Sequence, residues 1–366
     1  MENYRPSIGT PVNELDTPCL LIDMDALEHN MGLIADIYKD TVCKMRAHIK
    51  NLKAPVLAHM QINAGGTVGG VCAAKVSEAE VMVDGGIRDV FITNQVVTWD
   101  KIVRLCALAK RADVKVGLDN EQNLRLLSEV ASQQGATLGV VIEVDTSMHR
   151  AGVRTVDEGV RLARLAASLP GIAFKGVMSH QTLPGMPDRE TRFIEGRRFI
   201  QMCLDVKDAI EAAGIPVPIV STGETWTYDV APCIPGVTEV QGGTYALMSE
   251  PYSYMDMFRI AAKVLGTVVS TPRPGIAIGD VGVKALGSPN GVLPTLVNVP
   301  GVSVHALFDD QIVLKAEGKM PLKVGDKFIL HSGQQDIMVN RWDQFIAIRD
   351  GKVEAVWDIL ARGCHN

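Results

Sequence analysis

Between Thr41 and Tyr245, eight short runs of mostly apolar or small residues alternate with longer amphipathic stretches. The runs are residues 42–48, 68–72, 89–92, 114–118, 138–144, 174–178, 218–221 and 238–241. Between them lie 100–112, 121–134, 156–169 and 188–213, where apolar residues recur at three- and four-residue spacing, as Ile102, Leu105, Cys106 and Ala109 do. Strands apolar on both faces suit a parallel sheet covered by helices on either side. Eight such strand–helix units in about 200 residues predict an α/β protein, a (β/α)8 TIM-type barrel. A doubly wound open sheet shares the alternation. Against it, no GxGxxG opens a helix after the first run, and Gly65-Gly66 precedes a run as a turn.

After Tyr254 the helical periodicity mostly disappears. Turn signals recur instead, at Pro272-Arg273-Pro274-Gly275, Ser288-Pro289-Asn290-Gly291, Glu317-Gly318, Val324-Gly325-Asp326 and Arg349-Asp350-Gly351. Runs at 311–315, 327–330, 345–348 and 352–357 read as strands, the last two joined by a hairpin at Asp350-Gly351. These features predict a barrel over 24–254 and a C-terminal all-β domain over 255–366. Residues 1–23 join that second domain through an extra strand at 19–22.

A formal net charge of -6, with no Lys/Arg cluster above the acidic background, argues against a nucleic-acid partner. No run approaches the ~20 apolar residues of a membrane span, and residues 1–14 lack an apolar signal core. Seven scattered cysteines without a CxxC pair read as reduced thiols, so the expected location is the cytoplasm.

In a barrel of this kind the chemistry sits at the carboxyl ends of the strands. Those ends carry Arg46-Ala47-His48-Ile49-Lys50-Asn51-Leu52-Lys53, Lys75 with Glu78, Asn94-Gln95, Asp119-Asn120, Glu143 with Asp145, His180-Gln181, and two glycine-bearing turns. The turns are Ser221-Thr222-Gly223-Glu224-Thr225 and Gln241-Gly242-Gly243-Thr244-Tyr245. Any one of these is ordinary for a loop; eight polar ends in succession indicate a pocket. A lysine in an apolar mouth can act as a neutral amine and form a Schiff base with an aldehyde. Spacing alone favours the plainer view of Lys50 as a surface lysine in a basic turn. Glycines after the seventh and eighth strands let backbone N–H groups approach an anion, and hydroxyls such as Thr222 and Thr225 add donors.

At these residues the chain resembles the fold-type III pyridoxal-phosphate (PLP) enzymes, specifically the D-threonine aldolase and D-serine dehydratase group. The segment from Arg46 to Lys53 resembles the motif around the cofactor lysine. Residues 143–153 (EVDTSMHRAGV) resemble the segment bearing an arginine that faces the cofactor, and 236–245 (GVTEVQGGTY) the phosphate turn. Val68–Glu80, 89–95, Val356-Trp357 and Ala361-Arg362-Gly363 carry the similarity along the chain. The resemblance implies that Lys50 bears PLP, that Arg150 lies by its ring, and that Thr225, Gly243, Thr244 and Tyr245 hold the phosphate. It also implies a homodimer. A divalent metal (Mn, Mg or Zn) is expected at His331 and Asp336, near Val339-Asn340, although His331 stands three residues further back than in relatives.

This chain departs from the family pattern at Ala47, Leu52, His180-Gln181, Thr222-Gly223-Glu224-Thr225 and Asp309-Asp310-Gln311. What the resemblance implies is an aldolase that cleaves or forms the Cα–Cβ bond of a small β-hydroxy-D-amino acid. His180 and His48 are the candidate bases, since imidazole titrates near working pH. A dehydratase is the alternative with the same cofactor. A non-catalytic PLP-binding protein of cofactor homeostasis is the alternative from another class, and the extra β-domain counts against it.

Overall fold

A computed structural model describes residues 4–181, 188–288 and 292–366. The turn expected at Ser288-Pro289-Asn290-Gly291 falls largely outside the described residues. The chain forms two compact units, one of residues 32–50, 55–243 and 364–366, the other of residues 1–31, 51–54 and 244–363.

The first unit is a closed eight-stranded parallel barrel. Taking β1 as Cys19–Asp23 in the other unit, its strands are β2 (Lys44–His48), β3 (Thr67–Ala73), β4 (Asp89–Gln95), β5 (Asp113–Leu118), β6 (Leu138–Glu143), β7 (Ile172–Ser179), β8 (Ile219–Thr222) and β9 (Glu239–Val240). All eight expected runs are strands, and β9 closes the ring by pairing Lys44 with Glu239 and Met45 with Val240. Every residue of β6 is buried, which is why that run carries no alternation. Each fully buried Val or Ile there contributes roughly 1.5–3 kcal/mol.

Helices α1 (Met24–Tyr38), α2 (Pro55–Ala64), α3 (Val76–Asp84), α4 (Trp99–Ala109), α5 (Glu121–Gln133), α6 (Val156–Ser168) and α7 (Arg189–Ala212) separate the strands. The starts of α5, α6 and α7 are fixed by side chains that satisfy otherwise unpaired N–H groups. Asn120 accepts from Asn123, Thr155 and Glu158 form a reciprocal capping box, and Asp188 accepts from Thr191.

The second unit is built on a nine-stranded mixed sheet. It comprises β1 with β10 (Ala262–Arg273), β11 (Ile276–Gly279), β12 (Thr295–Leu296), β13 (Val302–Leu307), β14 (Ile312–Ala316), β15 (Lys327–His331), β16 (Gln344–Arg349) and β17 (Lys352–Asp358). The expected N-terminal strand is present: β1 runs antiparallel to β10 and parallel to β16. The hairpin between β16 and β17 turns at Asp350 (φ 50°) and Gly351 (φ 71°), pairing Arg349 with Lys352. Three short helices, α8 (Thr244–Leu247), α9 (Val283–Leu286) and α10 (Gln335–Val339), interrupt this unit, so it is not purely β. All seven cysteines are unpaired thiols. No helix among the described residues is long and apolar enough to cross a membrane.

Candidate active site

β2 ends at His48, and a single 3-10 turn, Ile49–Asn51, carries Lys50 past the strand. The Lys50 N–H donates to His48 Nδ1 at 3.3 Å, and the His48 N–H donates to the Gly242 carbonyl at 2.9 Å. The second bond ties the end of β2 to the turn after β9. His48 is buried with Nε2 3.4 Å from Thr93 Oγ1. A cavity of about 180 Å³ opens here, with His48, Lys50, Glu143, Arg150, His180 and Gln241 in its walls. Among the described residues, Lys50 Nζ makes no hydrogen bond and no ion pair, although its charge acts on the Glu224 carboxyl. Neighbouring lysines are placed differently. Lys44 Nζ donates to the Tyr38 and Lys39 carbonyls, Lys115 bonds Asp89 and Asp113, and Lys75 is exposed at the start of α3.

Glu143 closes β6 with its side chain only 6% exposed. It accepts a hydrogen bond from Gln95 Nε2 at 2.6 Å, and Arg150 Nη2 stands 3.9 Å from its other oxygen. Burial pushes this carboxyl above its ordinary value, against the Gln95 bond and the Arg150 charge; Asp119 and Asp145 add to the rise. The loop carrying Arg150 is latched at both ends. Val153 N–H donates to the Glu143 carbonyl at 2.8 Å, and Gly152 N–H to Asp119 Oδ2 at 3.0 Å. Gly152 has φ +110°, and a Cβ there would lie 2.5 Å from the Asp145 nitrogen, so no larger residue fits without moving the loop.

The ends of β7 and β8 bring together residues the sequence spaces more than forty apart. Ser179 Oγ and Thr222 Oγ1 are 2.5 Å apart, and Gln181 Nε2 donates to both at 2.8 Å. Thr222, expected as a phosphate donor, therefore has its hydroxyl committed inside the barrel. Beside them, His180 Nε2 lies 3.9 Å from Glu224 Oε2, and Trp226 Nε1 donates to the other oxygen of Glu224. Burial depresses the His180 imidazole to about 3, helped by the positive charges of Lys50 and Arg150. Burial raises the Glu224 carboxyl to about 7, opposed by the Trp226 bond and by those same two charges. The signal for Glu224 in the sequence was its place in a turn, Thr222-Gly223-Glu224-Thr225, that departs from the pattern of the family the chain resembles.

Several other polar strand ends serve the fold. Glu78 accepts from the Ala74 and Lys75 N–H groups, Asn120 caps α5, and Asp145 accepts from His149 N–H. Thr225 is buried in the 3-10 turn Thr225–Thr227, and Gly243 is buried after β9. Thr244 and Tyr245 belong to the second unit, where they open α8 and the Tyr245 ring lies 6.3 Å from that of Phe258.

The two residues expected to hold a metal each engage a different partner. His331 Nδ1 stands 3.2 Å from Glu250 Oε2, whereas Asp336 lies in the first turn of α10 and accepts from Ile337 N–H at 3.1 Å. The segment after His331 coils into that helix, so the two side chains serve different partners. Among the described residues no three His, Cys, Asp or Glu side chains gather as a metal would require. His331 and Asp336 are not part of any such group among the described residues.

The barrel residues do fit PLP. Lys50, whose amine has no hydrogen-bond or ion-pair partner among the described residues, suits the aldehyde, and the Arg150 cation suits the ring's phenolic oxygen. The turns after β8 and β9 suit the phosphate: Gly223 holds φ +95°, where a Cβ would sit 2.6 Å from Thr227 Oγ1.

Comparison with known proteins agrees with this assignment. Residues 22–251 match the family described as "Alanine racemase, N-terminal domain", and residues 261–348 match a serine dehydratase domain. The chain is 35% identical to a 3-hydroxy-D-aspartate aldolase of Paracoccus denitrificans (strain Pd 1222), over 97% of this chain and 94% of that one. It is 32% identical to a D-threonine aldolase of Arthrobacter sp, over 97% and 95%. The crystal structure of D-threonine aldolase from Filomicrobium marinum superposes with a TM-score of 0.94 at 33% identity, covering 99% of this chain and 100% of that one. The chain belongs to the alanine racemase N-terminal-domain family of fold-type III PLP enzymes, in the group that contains the D-threonine aldolases.

Proposed function

We propose that this protein is a PLP-dependent lyase that cleaves or forms the Cα–Cβ bond of a small β-hydroxy-D-amino acid. The observation that carries this is the Lys50 amine, without a hydrogen-bond or ion-pair partner among the described residues, in a cavity at the carboxyl end of a barrel of this family. When bound, PLP supplies the electron sink for the Cα electron pair.

The chain's own residues have distinct tasks. Lys50 holds the cofactor and exchanges it for the substrate amine. Arg150, kept at the cavity wall by the Asp119–Gly152 latch, orients the ring. Thr225 and the turn at Gly243 face the phosphate. His180, neutral at working pH because burial and two cations oppose its protonation, accepts the proton of the β-hydroxyl. His48 is occupied by the Lys50 N–H and Thr93, which suits packing against the cofactor. No step is assigned to His331 or Asp336. The resemblance further supports a homodimer, the scattered cysteines without a CxxC pair support a cytoplasmic location, and sedimentation of the purified protein checks the assembly.

Incubating the protein with PLP and a panel of β-hydroxy-D-amino acids tests the function. Glycine plus an aldehyde is the expected outcome. Ammonia plus a 2-oxo acid would establish the dehydratase instead, and no turnover on any member would leave a binding protein.

A further inference from the structure

Glu224, in the turn after β8, puts a carboxylate beside the cavity's imidazole. Glu224 is 16% exposed, sits on the turn after β8, and holds one oxygen against Trp226 Nε1. Its other oxygen lies 3.9 Å from His180 Nε2, and His180 is one of the residues lining the cavity. The charged groups acting on the pair are Lys50 and Arg150, the latter shared with Glu143. Both cations oppose an imidazolium and favour a carboxylate. An isolated His180 would therefore be a poor proton acceptor, whereas one backed by an ionised carboxylate is not.

We propose that Glu224 is the positioning residue and charge partner of His180, so that the two act as one proton-accepting dyad toward the substrate's β-hydroxyl. This rests on the aldolase function above. In cleavage, the O–H bond breaks and its proton passes to His180. The O–H electron pair becomes the carbonyl π bond of the departing aldehyde, and the Cα–Cβ pair remains with Cα. Cα then takes up one proton, so that glycine leaves, and the dyad returns one to solvent; the balance is even. The carboxylate compensates the imidazolium during the interval in which it exists. Gapped geometry of this kind tightens when substrate closes the site. The Glu224 carboxyl, raised by burial to about 7, is ionised above neutral pH, which is the form the dyad requires.

The test uses the PLP-loaded enzyme and the variants Glu224→Gln, Glu224→Asp and His180→Gln. Infrared difference spectra taken on lowering the pH through about 7 should show a protonated-carboxyl band in the wild type and His180→Gln, absent in Glu224→Gln. For retro-aldol cleavage, Glu224→Gln should lower kcat on the order of 10²-fold with KM little changed and remove the acidic limb of the pH profile. Glu224→Asp should restore part of both. A wild-type pH profile in Glu224→Gln would overturn the proposal. So would a normal kcat accompanied by tighter PLP binding, which would reduce Glu224 to a charge near the phosphate. If no protein in the set releases aldehyde, the aldolase function fails, while the infrared comparison still reads the carboxylate.

Discussion

Arg46 belongs to the motif that leads to Lys50, yet it works at the opposite end of the barrel. Its side chain is 2% exposed and donates four hydrogen bonds. Nε and Nη2 reach Glu239 at 2.8 and 2.6 Å, while Nη1 and Nη2 reach Asp89 at 2.8 and 3.1 Å. Lys115 Nζ joins through Asp89 at 2.8 Å. Asp89 and Glu239 begin β4 and β9, so the network lies at the amino ends of the strands, where barrels are stabilised rather than catalytic. Arg46→Met would leave Glu239, only 8% exposed, as a buried carboxylate without its cation. Asp89 would keep Lys115. The cost of one uncompensated buried charge is about 3–5 kcal/mol. Arg46→Met with Glu239→Leu removes both charges and should recover most of that loss, because an apolar pair of similar volume avoids desolvation altogether. Urea unfolding midpoints of the two variants measure the difference, and kcat at 25 °C should stay within a few-fold of wild type in whatever remains folded. Equal destabilisation of the single and double variants would refute the argument, as would a selective loss of kcat.

The pH dependence of stability should carry the mark of Glu224. A carboxyl raised from 4.5 to about 7 in the folded state contributes fully below its unfolded value, and that contribution is lost as pH rises through about 7. The loss amounts to about 3 kcal/mol. Glu224→Gln should therefore gain stability relative to wild type between pH 5 and pH 8 in cofactor-free protein, and a pH-independent difference in unfolding midpoints would contradict this. Gly243→Val should raise the PLP dissociation constant at least tenfold while leaving the far-ultraviolet circular dichroism unchanged; unaltered retention of PLP in equilibrium dialysis would remove this turn from the phosphate site. Gly152→Val, forced into a left-handed conformation beside Asp145, should displace the Arg150 loop and shift the cofactor's visible absorbance without unfolding the barrel. An unshifted spectrum would detach Arg150 from the ring.

How much of this was legible in the chain varies with the range of the interaction. The barrel strands were readable because burial on both faces makes each a short apolar run. Only their ends moved: Val42, assigned to the first strand, is exposed, and β2 begins at Lys44. Helices α4 to α7 announced themselves through apolar periodicity. α2 did not, because its sequence, PVLAHMQINA, is nearly uniform in polarity around the helix. Lys50 was singled out by the family resemblance rather than by its place after the first strand, and what separates it from Lys44 and Lys115 is which carboxylates and carbonyls lie nearby. That information is held in contacts between distant residues. The same holds for His331, whose partner Glu250 is 81 residues away and on no shared motif. Glu224 stood out as a departure from the family turn, but its meaning required His180 and Trp226 to be seen around it.

The central claim is that Lys50 is the group that commits the cavity to PLP chemistry. Borohydride reduction of the cofactor-loaded protein, followed by proteolysis and mass spectrometry, tests it most directly. The account predicts a single pyridoxyl-modified peptide, with the label on Lys50. A label on Lys44, Lys53 or Lys75, or no stable label at all, would contradict it.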